Sequence, residues 1–168
     1  MKHRKERDFF KEPMSIYEVH LGSWMRKPDW NFNKYNEVVD LLINHLRDNG
    51  FTHVEFMPLA EHPLDESWGY QATGYFSATS RFGVPKDLFY LIDRLHQEGF
   101  GVLLDWVPSH ISKDAHGLYR FDGSYLYEYQ DDSIRENQVW GTINLDLGKG
   151  IVRSFLLSNA RFWMDMCH

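Results

Sequence analysis

An Asp and a His close an apolar run in the stretch FGVLLDWVPSH, which covers Phe100–His110. Residues 102–104, Val-Leu-Leu, follow a glycine and predict a short strand that is covered on both faces. Asp105 and His110 come where that strand should end. A charged side chain at the end of a buried strand costs free energy unless it is paired, hydrogen-bonded or used in chemistry. The stretch therefore indicates either a local structural interaction or part of a functional site.

Several other kinds of site use the same residue types. Asp105 has a structural alternative, because it could pair with Arg81 or with a backbone amide. A metal site formed by His62, Asp105, His110 and His116 lacks a close ligand spacing such as H-E-x-x-H, so no metal is predicted. A Ser-His-Asp site lacks the G-x-S-x-G motif. The connection HLGSW has no glycine-rich phosphate-binding pattern, so no nucleotide cofactor is predicted.

Aromatic side chains crowd the three long segments that follow the predicted strands. A sugar ring has an apolar C–H face that stacks on such side chains, and a surface that is amphipathic without being basic suits a neutral polyol. The pattern favours a carbohydrate substrate, with the alternative that these aromatics only fill the cores of the loops. They are Trp24, Trp30, Trp68, Tyr70, Tyr75, Phe76, Tyr119, Tyr125, Tyr127, Tyr129 and Trp140.

Hydrophobic periodicity predicts that three strands alternate with three helices. The strands are Ser15–His20, Thr52–Leu59 and the FGVLL stretch. The first helix covers Tyr35–Asn49, the second runs from Pro85 to Gly99, and the third runs to the chain end. The apolar positions that define the helices are Val38, Val39, Leu42 and Leu46; Leu88, Leu91, Ile92 and Leu95; and Val152, Phe155, Leu156, Trp163 and Met166.

This order of elements predicts one α/β domain with parallel strands and right-handed crossovers. The strand-to-helix connections are long, whereas the helix-to-strand connections are short. Residues Glu61–Val84 and Ile111–Gly150 form two of the long connections. A TIM (β/α)8 barrel builds its active site from such loops, and it closes only with eight strands. We therefore predict an incomplete TIM barrel, namely its first three βα units with long βα loops.

Charge and cysteine content exclude several other classes of protein. A formal net charge of −6 and a pI near 5.8 argue against a nucleic-acid partner. The single cysteine, Cys167, rules out an intrachain disulfide and favours a reducing compartment, so we expect a cytoplasmic protein. The sequence has neither a secretory leader pattern nor an apolar run long enough to cross a membrane. Residues 1–13 are predicted to form a flexible basic tail or linker.

Five strings resemble, in order, the 1,4-α-glucan (glycogen) branching enzymes of the α-amylase family. The resemblance extends from about Pro13 to His168. The string GYQATGYFSATSRFG together with DWVPSH favours branching enzymes over hydrolysing amylases, in which the strand-three motif usually ends in Asn-His. The strings are SIYEVHLGSW, SWGYQATGYFSATSRFG, VLLDWVPSH, KDAHGLYRFDGSYLYEY and WGTINLDLGKGIVRSFLLSNARFWMD.

The resemblance implies roles for three residues in substrate binding. Asp105 and His110 match the family's first signature region, where the His hydrogen-bonds the glucose of the −1 subsite and the Asp organises nearby catalytic groups. Tyr70, in WGYQ, matches the aromatic residue that stacks on the same glucose. Ser109 stands where many relatives have Asn or Gly, and Ile111 where branching enzymes often have Phe. These two differences concern local contacts only.

The resemblance also implies retaining glycosyl transfer, in which one carboxylate is the nucleophile and a second carboxyl group is the acid and then the base. The family's nucleophile lies on strand four, in an Asp-Gly-x-Arg-x-Asp string that would follow FWMDMCH. Both catalytic carboxylates are therefore expected beyond His168, and no catalytic residue is predicted in this chain. We expect residues 14–168 to be the N-terminal portion of the catalytic barrel, inactive by itself and truncated before strand four.

The implied partners are α-glucans: glycogen, amylose and maltooligosaccharides. An unpaired strand at the open edge of the barrel also predicts self-association. Two alternatives stay open: a fragment of another α-amylase-family hydrolase, and a glucan-binding module that carries no chemistry. New α-1,6 linkages would favour the transferase, whereas glucan binding without turnover would favour the binding module.

Overall fold

The computed structural model describes residues 11–167, and the chain divides into two compact units. The sheet unit contains residues 11–59 with Ser80–Asp105 and Cys167, and the loop unit contains Ala60–Thr79 with Trp106–Met166. Most of the predicted N-terminal tail lies outside the described residues. In chain order the elements are β1 (Ile16–Val19), α1 (Val39–Asp48), β2 (His53–Phe56), β3 (Ala60–Glu61), β4 (Gly74–Ala78), α2 (Pro85–Gln97), β5 (Gly101–Leu104), β6 (His110–Ile111), α3 (Asp132–Arg135), β7 (Glu136–Asn137), β8 (Thr142–Asn144) and α4 (Gly150–Cys167).

The sheet unit contains the predicted parallel sheet, with the strand order β1-β2-β5. Ile16 pairs with His53 and His53 pairs with Gly101, so the three strands start level with one another. The central strand β2 is the most deeply buried. All four residues of β5 are only half-buried, so the expectation of a strand covered on both faces is wrong. The physical reason is that β5 is an outer strand of the described sheet.

Two amphipathic helices of the sheet unit bury the faces that their apolar spacing predicts. On α1, Leu42 and Leu46 are fully buried, and the four leucine and isoleucine positions predicted for α2 are also buried. Pro85 occupies the first turn of α2, where its missing N–H costs no hydrogen bond. Gly50 and Gly99 follow the two helices with φ values of +72° and +87°, a conformation that favours glycine. The helix stops predicted from these glycines are therefore confirmed.

The loop unit contains short antiparallel strands within segments that were predicted to be long loops. β3 pairs with β4, and β8 lies between β6 and β7. The strands pack around an apolar cluster that includes part of α4. The buried members of that cluster are Tyr75, Ile111, Ile143, Leu145, Val152 and Leu156.

Helix α4 buries one stripe of side chains, and this stripe differs from the prediction at two positions. Val152, Leu156 and Trp163 are buried as expected. Asn159 lies in the same stripe and is also buried, although its amide is polar, whereas Met166 is exposed. The Asn159 amide is accommodated because both of its ends are hydrogen-bonded.

Charged side chains bond to backbone groups in the interior of the loop unit. Glu128 is 0% exposed, and its carboxylate accepts hydrogen bonds from the backbone N–H groups of Arg120 (2.6 Å) and Tyr127 (3.1 Å). The ammonium group of Lys149 donates to three carbonyl oxygens of the 125–128 segment. These bonds satisfy loop backbone groups that no ladder of strands would satisfy.

Candidate functional site

His110 opens β6, and its side chain is 5% exposed. Its Nδ1 atom lies 2.8 Å from the hydroxyl oxygen of Ser109, and its Nε2 atom lies 3.1 Å from the carbonyl oxygen of Tyr70. The indole of Trp140 lies beside the imidazole, with 5.3 Å between ring centroids and 45° between planes. We call these four residues, His110, Ser109, Tyr70 and Trp140, the His110 cluster. All of them belong to the loop unit.

The partners of His110 determine which of its ring nitrogens carries the proton. A carbonyl oxygen only accepts hydrogen bonds, so Nε2–H donates to Tyr70 and Nδ1 accepts from the hydroxyl of Ser109. Burial disfavours the imidazolium and lowers the pKa of His110 below 6.5, although the hydrogen bond to the Tyr70 carbonyl acts in the opposite direction. His110 is therefore a neutral imidazole at neutral pH, with both nitrogens engaged.

A tight reversal of the chain presents the backbone of Tyr70 to His110. The 3₁₀ turn Asp65–Ser67 is followed by two residues with positive φ, Trp68 at 54° and Gly69 at 92°. The N–H of Tyr70 then donates to the carbonyl oxygen of Ser67, at 3.0 Å. This turn leaves the carbonyl of Tyr70 directed at His110 and the Tyr70 side chain half-buried.

A second layer of hydrogen bonds holds the backbone of His110. The hydroxyl of Tyr75 donates to the carbonyl oxygen of His110 at 3.0 Å. The carbonyl oxygen of Tyr75 accepts from Asn159 Nδ2 (2.5 Å) and from Trp163 Nε1 (3.0 Å), so β4 is tied to α4. Burial raises the pKa of Tyr75, so its hydroxyl keeps its proton and acts as a donor. The position of His110 therefore depends on helix α4 as well as on its own strand.

Asp105 lies in the other unit, immediately after β5. Its backbone N–H donates to the carbonyl oxygen of Phe56 at 2.8 Å and so continues the pairing between β5 and β2. Its side chain is half-buried. The sequence placed Asp105, His110 and Tyr70 in one site, and the structure brings the last two together in the loop unit.

No individual site role was predicted from the sequence for Trp140, Tyr75 or Asn159. Trp140 and Tyr75 were named only within the set of loop aromatics that favoured a carbohydrate substrate, and the separation of Trp140 from His110 along the chain hides their contact. Asn159 carried a detectable signal, because an amide at an otherwise apolar helical position requires hydrogen-bonding partners. That signal indicates a polar contact without identifying the partner.

Two features of other kinds of protein are absent from the described residues. Along residues 11–167, no cluster of three or more His, Cys, Asp or Glu side chains has the arrangement needed to hold a metal ion. In the same part of the chain, no helix combines the length and the apolar character needed to cross a membrane.

Comparison with known families identifies relatives along most of the chain. The model of the alpha amylase catalytic domain matches residues 38–143. The 1,4-alpha-glucan branching enzyme GlgB of Bacillus caldolyticus is 58% identical over 165 residues, which is 98% of this chain and 25% of that protein. The enzyme of the same name from Bacillus cereus strain G9842 is 56% identical over 98% of this chain. The chain thus spans about a quarter of the length of these curated relatives.

Solved structures of similar fold come from amylases. The alpha-amylase of Geobacillus thermoleovorans, solved with acarbose, superposes with a TM-score of 0.73 at 18% identity, over 93% of this chain and 39% of that chain. An Anoxybacillus alpha-amylase superposes with a TM-score of 0.74 at 16% identity, over 92% of this chain and 38% of that chain. At this level of identity the likeness concerns the fold alone.

Proposed function

The chain belongs to the alpha-amylase family and has the TIM-barrel-type fold of its catalytic domain, and from this premise we propose that it is part of a 1,4-alpha-glucan branching enzyme. The observation that carries the proposal is the 56–58% identity to curated branching enzymes along 98% of the chain. In the proposed protein, this chain contributes the first three βα units of the barrel. The substrates would be α-glucans.

Within this proposal, the chain provides the substrate-binding part of the −1 subsite. The Tyr70 ring stacks on one glucose unit, His110 bonds to a hydroxyl of that unit, and Asp105 organises the catalytic groups around it. The contact between the His110 ring and the Tyr70 backbone supports a shared role for these two residues. Because both nitrogens of His110 are engaged, glucose binding would exchange the Nε2–H bond to Tyr70 for a bond to the sugar.

The proposed reaction is a retaining transfer that proceeds in two displacements. A carboxylate attacks the anomeric carbon of an α-1,4-linked glucose, the glycosidic bond breaks, and a carboxylic acid protonates the departing oxygen. The 6-hydroxyl of another glucan then attacks the anomeric carbon of the covalent glycosyl-enzyme, the bond from that carbon to the first carboxylate breaks, and the hydroxyl proton goes to the group that had acted as the acid. We assign neither of these two carboxylates to this chain, whose own residues hold and orient the reacting glucose.

Branching of amylose by the polypeptide that the gene encodes tests the proposal. A branching enzyme lowers the iodine absorbance and creates branches that isoamylase releases, without a matching early rise in reducing ends. Cleavage that raises reducing ends and leaves no branches would support a hydrolase instead. Glucan binding without turnover would support a binding module.

Two histidines in the same segment, His110 and His116, provide matched variants for this assay. We expect His110→Ala to lower the branching rate about 100-fold, because a misplaced substrate reacts that much more slowly. His116 is exposed in the same segment of the chain, and His116→Ala should leave the rate unchanged. Equal rates for the two variants would contradict the role proposed for His110.

Two expectations about the isolated 168 residues stay predictions. Without the two catalytic carboxylates, the chain should neither branch nor cleave amylose over days of incubation. The outer strands of the described sheet should promote self-association, seen as an apparent mass that rises with concentration in light scattering. A monomer at all concentrations would contradict the second expectation.

A further inference from the structure

We propose that Trp140 is a glucan-binding residue, which stacks on the glucose unit next to the one bound by His110. This inference rests on the proposed function, because it deepens the description of the same site. Trp140 is 58% exposed, and its ring lies beside the ring of His110, with 5.3 Å between centroids. A large exposed aromatic beside a buried polar side chain is an arrangement that suits a ligand with both apolar faces and hydroxyl groups.

The indole N–H of Trp140 distinguishes it from the tryptophans that hold the protein together. Trp24 donates its Nε1–H to the hydroxyl of Tyr17, and Trp106 donates to the side chain of Asn159. Trp163 likewise donates to a backbone carbonyl. Within residues 11–167 the Nε1–H of Trp140 donates to no protein acceptor, so it remains available to a sugar hydroxyl.

The backbone around Trp140 is held by bonds that do not involve its ring. The side-chain oxygen of Asn137 accepts from the backbone N–H groups of Val139 and Trp140, both at 3.2 Å. Asn137 also pairs with Thr142 across the β7–β8 hairpin. The hairpin turn is therefore fixed without the indole, and removal of the ring leaves these bonds in place. An exposed ring on a turn that does not need it is a reason to assign the ring a function outside folding.

The chemistry of stacking defines the ligand class. The open face of the indole can cover the C–H face of a glucose ring, while its N–H donates to a hydroxyl at the edge of that ring. The contact with His110 places this glucose directly beside the one that His110 bonds. The ligand is therefore a chain of at least two α-linked glucose units, and glucose alone should bind much more weakly.

Indole N–H signals in a ¹H–¹⁵N correlation spectrum test the inference directly. The chain has six tryptophans, and the Trp140 signal is the one that disappears in the Trp140→Ala variant. On titration with maltoheptaose, we expect this signal to shift. Trp30 is 79% exposed in the sheet unit, and its backbone bonds to Lys27 and to Arg26, so it is the matched control and its signal should stay in place.

Affinity measurements with variants separate this inference from the proposed function. We expect Trp140→Ala to weaken maltoheptaose binding about fivefold to tenfold, Trp140→Phe to weaken it less because a ring remains, and Trp30→Ala to leave it unchanged. If the unmodified chain binds but Trp140→Ala binds equally well, the inference is wrong and the proposed function stands. If the unmodified chain does not bind maltoheptaose, glucan binding by this chain and the role of Trp140 are both overturned. Equal melting temperatures of the variants show that the change lies in binding.

Discussion

The interior of the sheet unit is almost entirely apolar, with His53 as its buried polar residue among those described, whereas polar and charged side chains recur in the interior of the loop unit. In the sheet unit, helical spacing brings leucine, isoleucine and valine side chains together. In the loop unit, the burial of Glu128 and Asn159 is tolerated because their side chains form hydrogen bonds with backbone groups of Arg120 and Tyr75. The sheet unit therefore depends on a periodic pattern of apolar residues, whereas the loop unit depends on individual polar residues.

The residues of the candidate site follow the same division. His110 and Tyr70 lie in the loop unit, where single hydrogen bonds fix backbone groups, and Asp105 ends a strand of the sheet unit. Irregular segments carry function more often than regular elements do, because their backbone is free to present side chains in specific directions. A change at one buried polar residue of the loop unit should therefore disturb the site more than a change of similar size in the sheet unit.

A leucine truncation in the sheet unit should have the largest effect on stability. Leu42 is 0% exposed on α1, and Leu42→Ala should lower the free energy of unfolding by about 2–5 kcal/mol, because it removes buried methyl groups and leaves a cavity. Its neighbour Leu41 is 46% exposed, so Leu41→Ala should change stability by less than about 0.5 kcal/mol. Urea unfolding measures both, and equal losses would show that helical spacing does not define this core.

A substitution of the buried carboxylate Glu128 should show how much its hydrogen bonds stabilise the loop unit. Glu128→Gln replaces one acceptor oxygen by an NH₂ group, which leaves a backbone N–H of Arg120 or Tyr127 unpaired at a cost of about 1–3 kcal/mol. Amide hydrogen exchange should accelerate at these two N–H groups first. Glu66→Gln, at an exposed position of the same unit, is the control. Unchanged exchange in the Glu128 variant would mean that these bonds do not hold the loop.

The buried imidazole should give the smallest effect, visible as a dependence on pH. The pKa of His110 is lower in the folded protein than its usual value of 6.5. As the pH falls through 6.5, the unfolded chain therefore binds more protons than the folded protein does. Stability should therefore decrease below pH 6.5, with a slope of at most about 1.4 kcal/mol per pH unit, until the pH reaches the folded pKa. This contribution should be missing in His110→Gln. A histidine NMR titration that gives a pKa above 6.5 for His110 would contradict it.

The regular part of the fold was predictable because its signals are periodic and local. The positions of Leu88, Leu91, Ile92 and Leu95 defined α2, and Gly99 defined its end. The short strands of the loop unit were not predictable, since a strand of two residues, such as β6, has no period to detect. The half-buried state of β5 was missed because an apolar run does not reveal whether its strand is central or outer.

The candidate site was predictable in its residues more than in its contacts. The motif strings identified His110 and Tyr70, and composition indicated aromatics in the loops. The bond from the His110 ring to the Tyr70 carbonyl joins residues 40 apart in the chain, and it depends on the reversal at Trp68 and Gly69. The place of Trp140 depends on the β7–β8 hairpin, so its contact with His110 could be found only in three dimensions.

The hydrogen bonds of the Tyr75 carbonyl also have a consequence for the order of events on the ribosome. Its two donors, Asn159 and Trp163, are synthesised 84 and 88 residues later. At about 5–20 residues per second, the first donor is added roughly 4–17 seconds after Tyr75 itself. During that interval this part of β4 lacks its native partners, and the strand that presents His110 lacks the support that α4 provides. The nascent loop unit therefore reaches its native hydrogen bonding only after translation of its last helix.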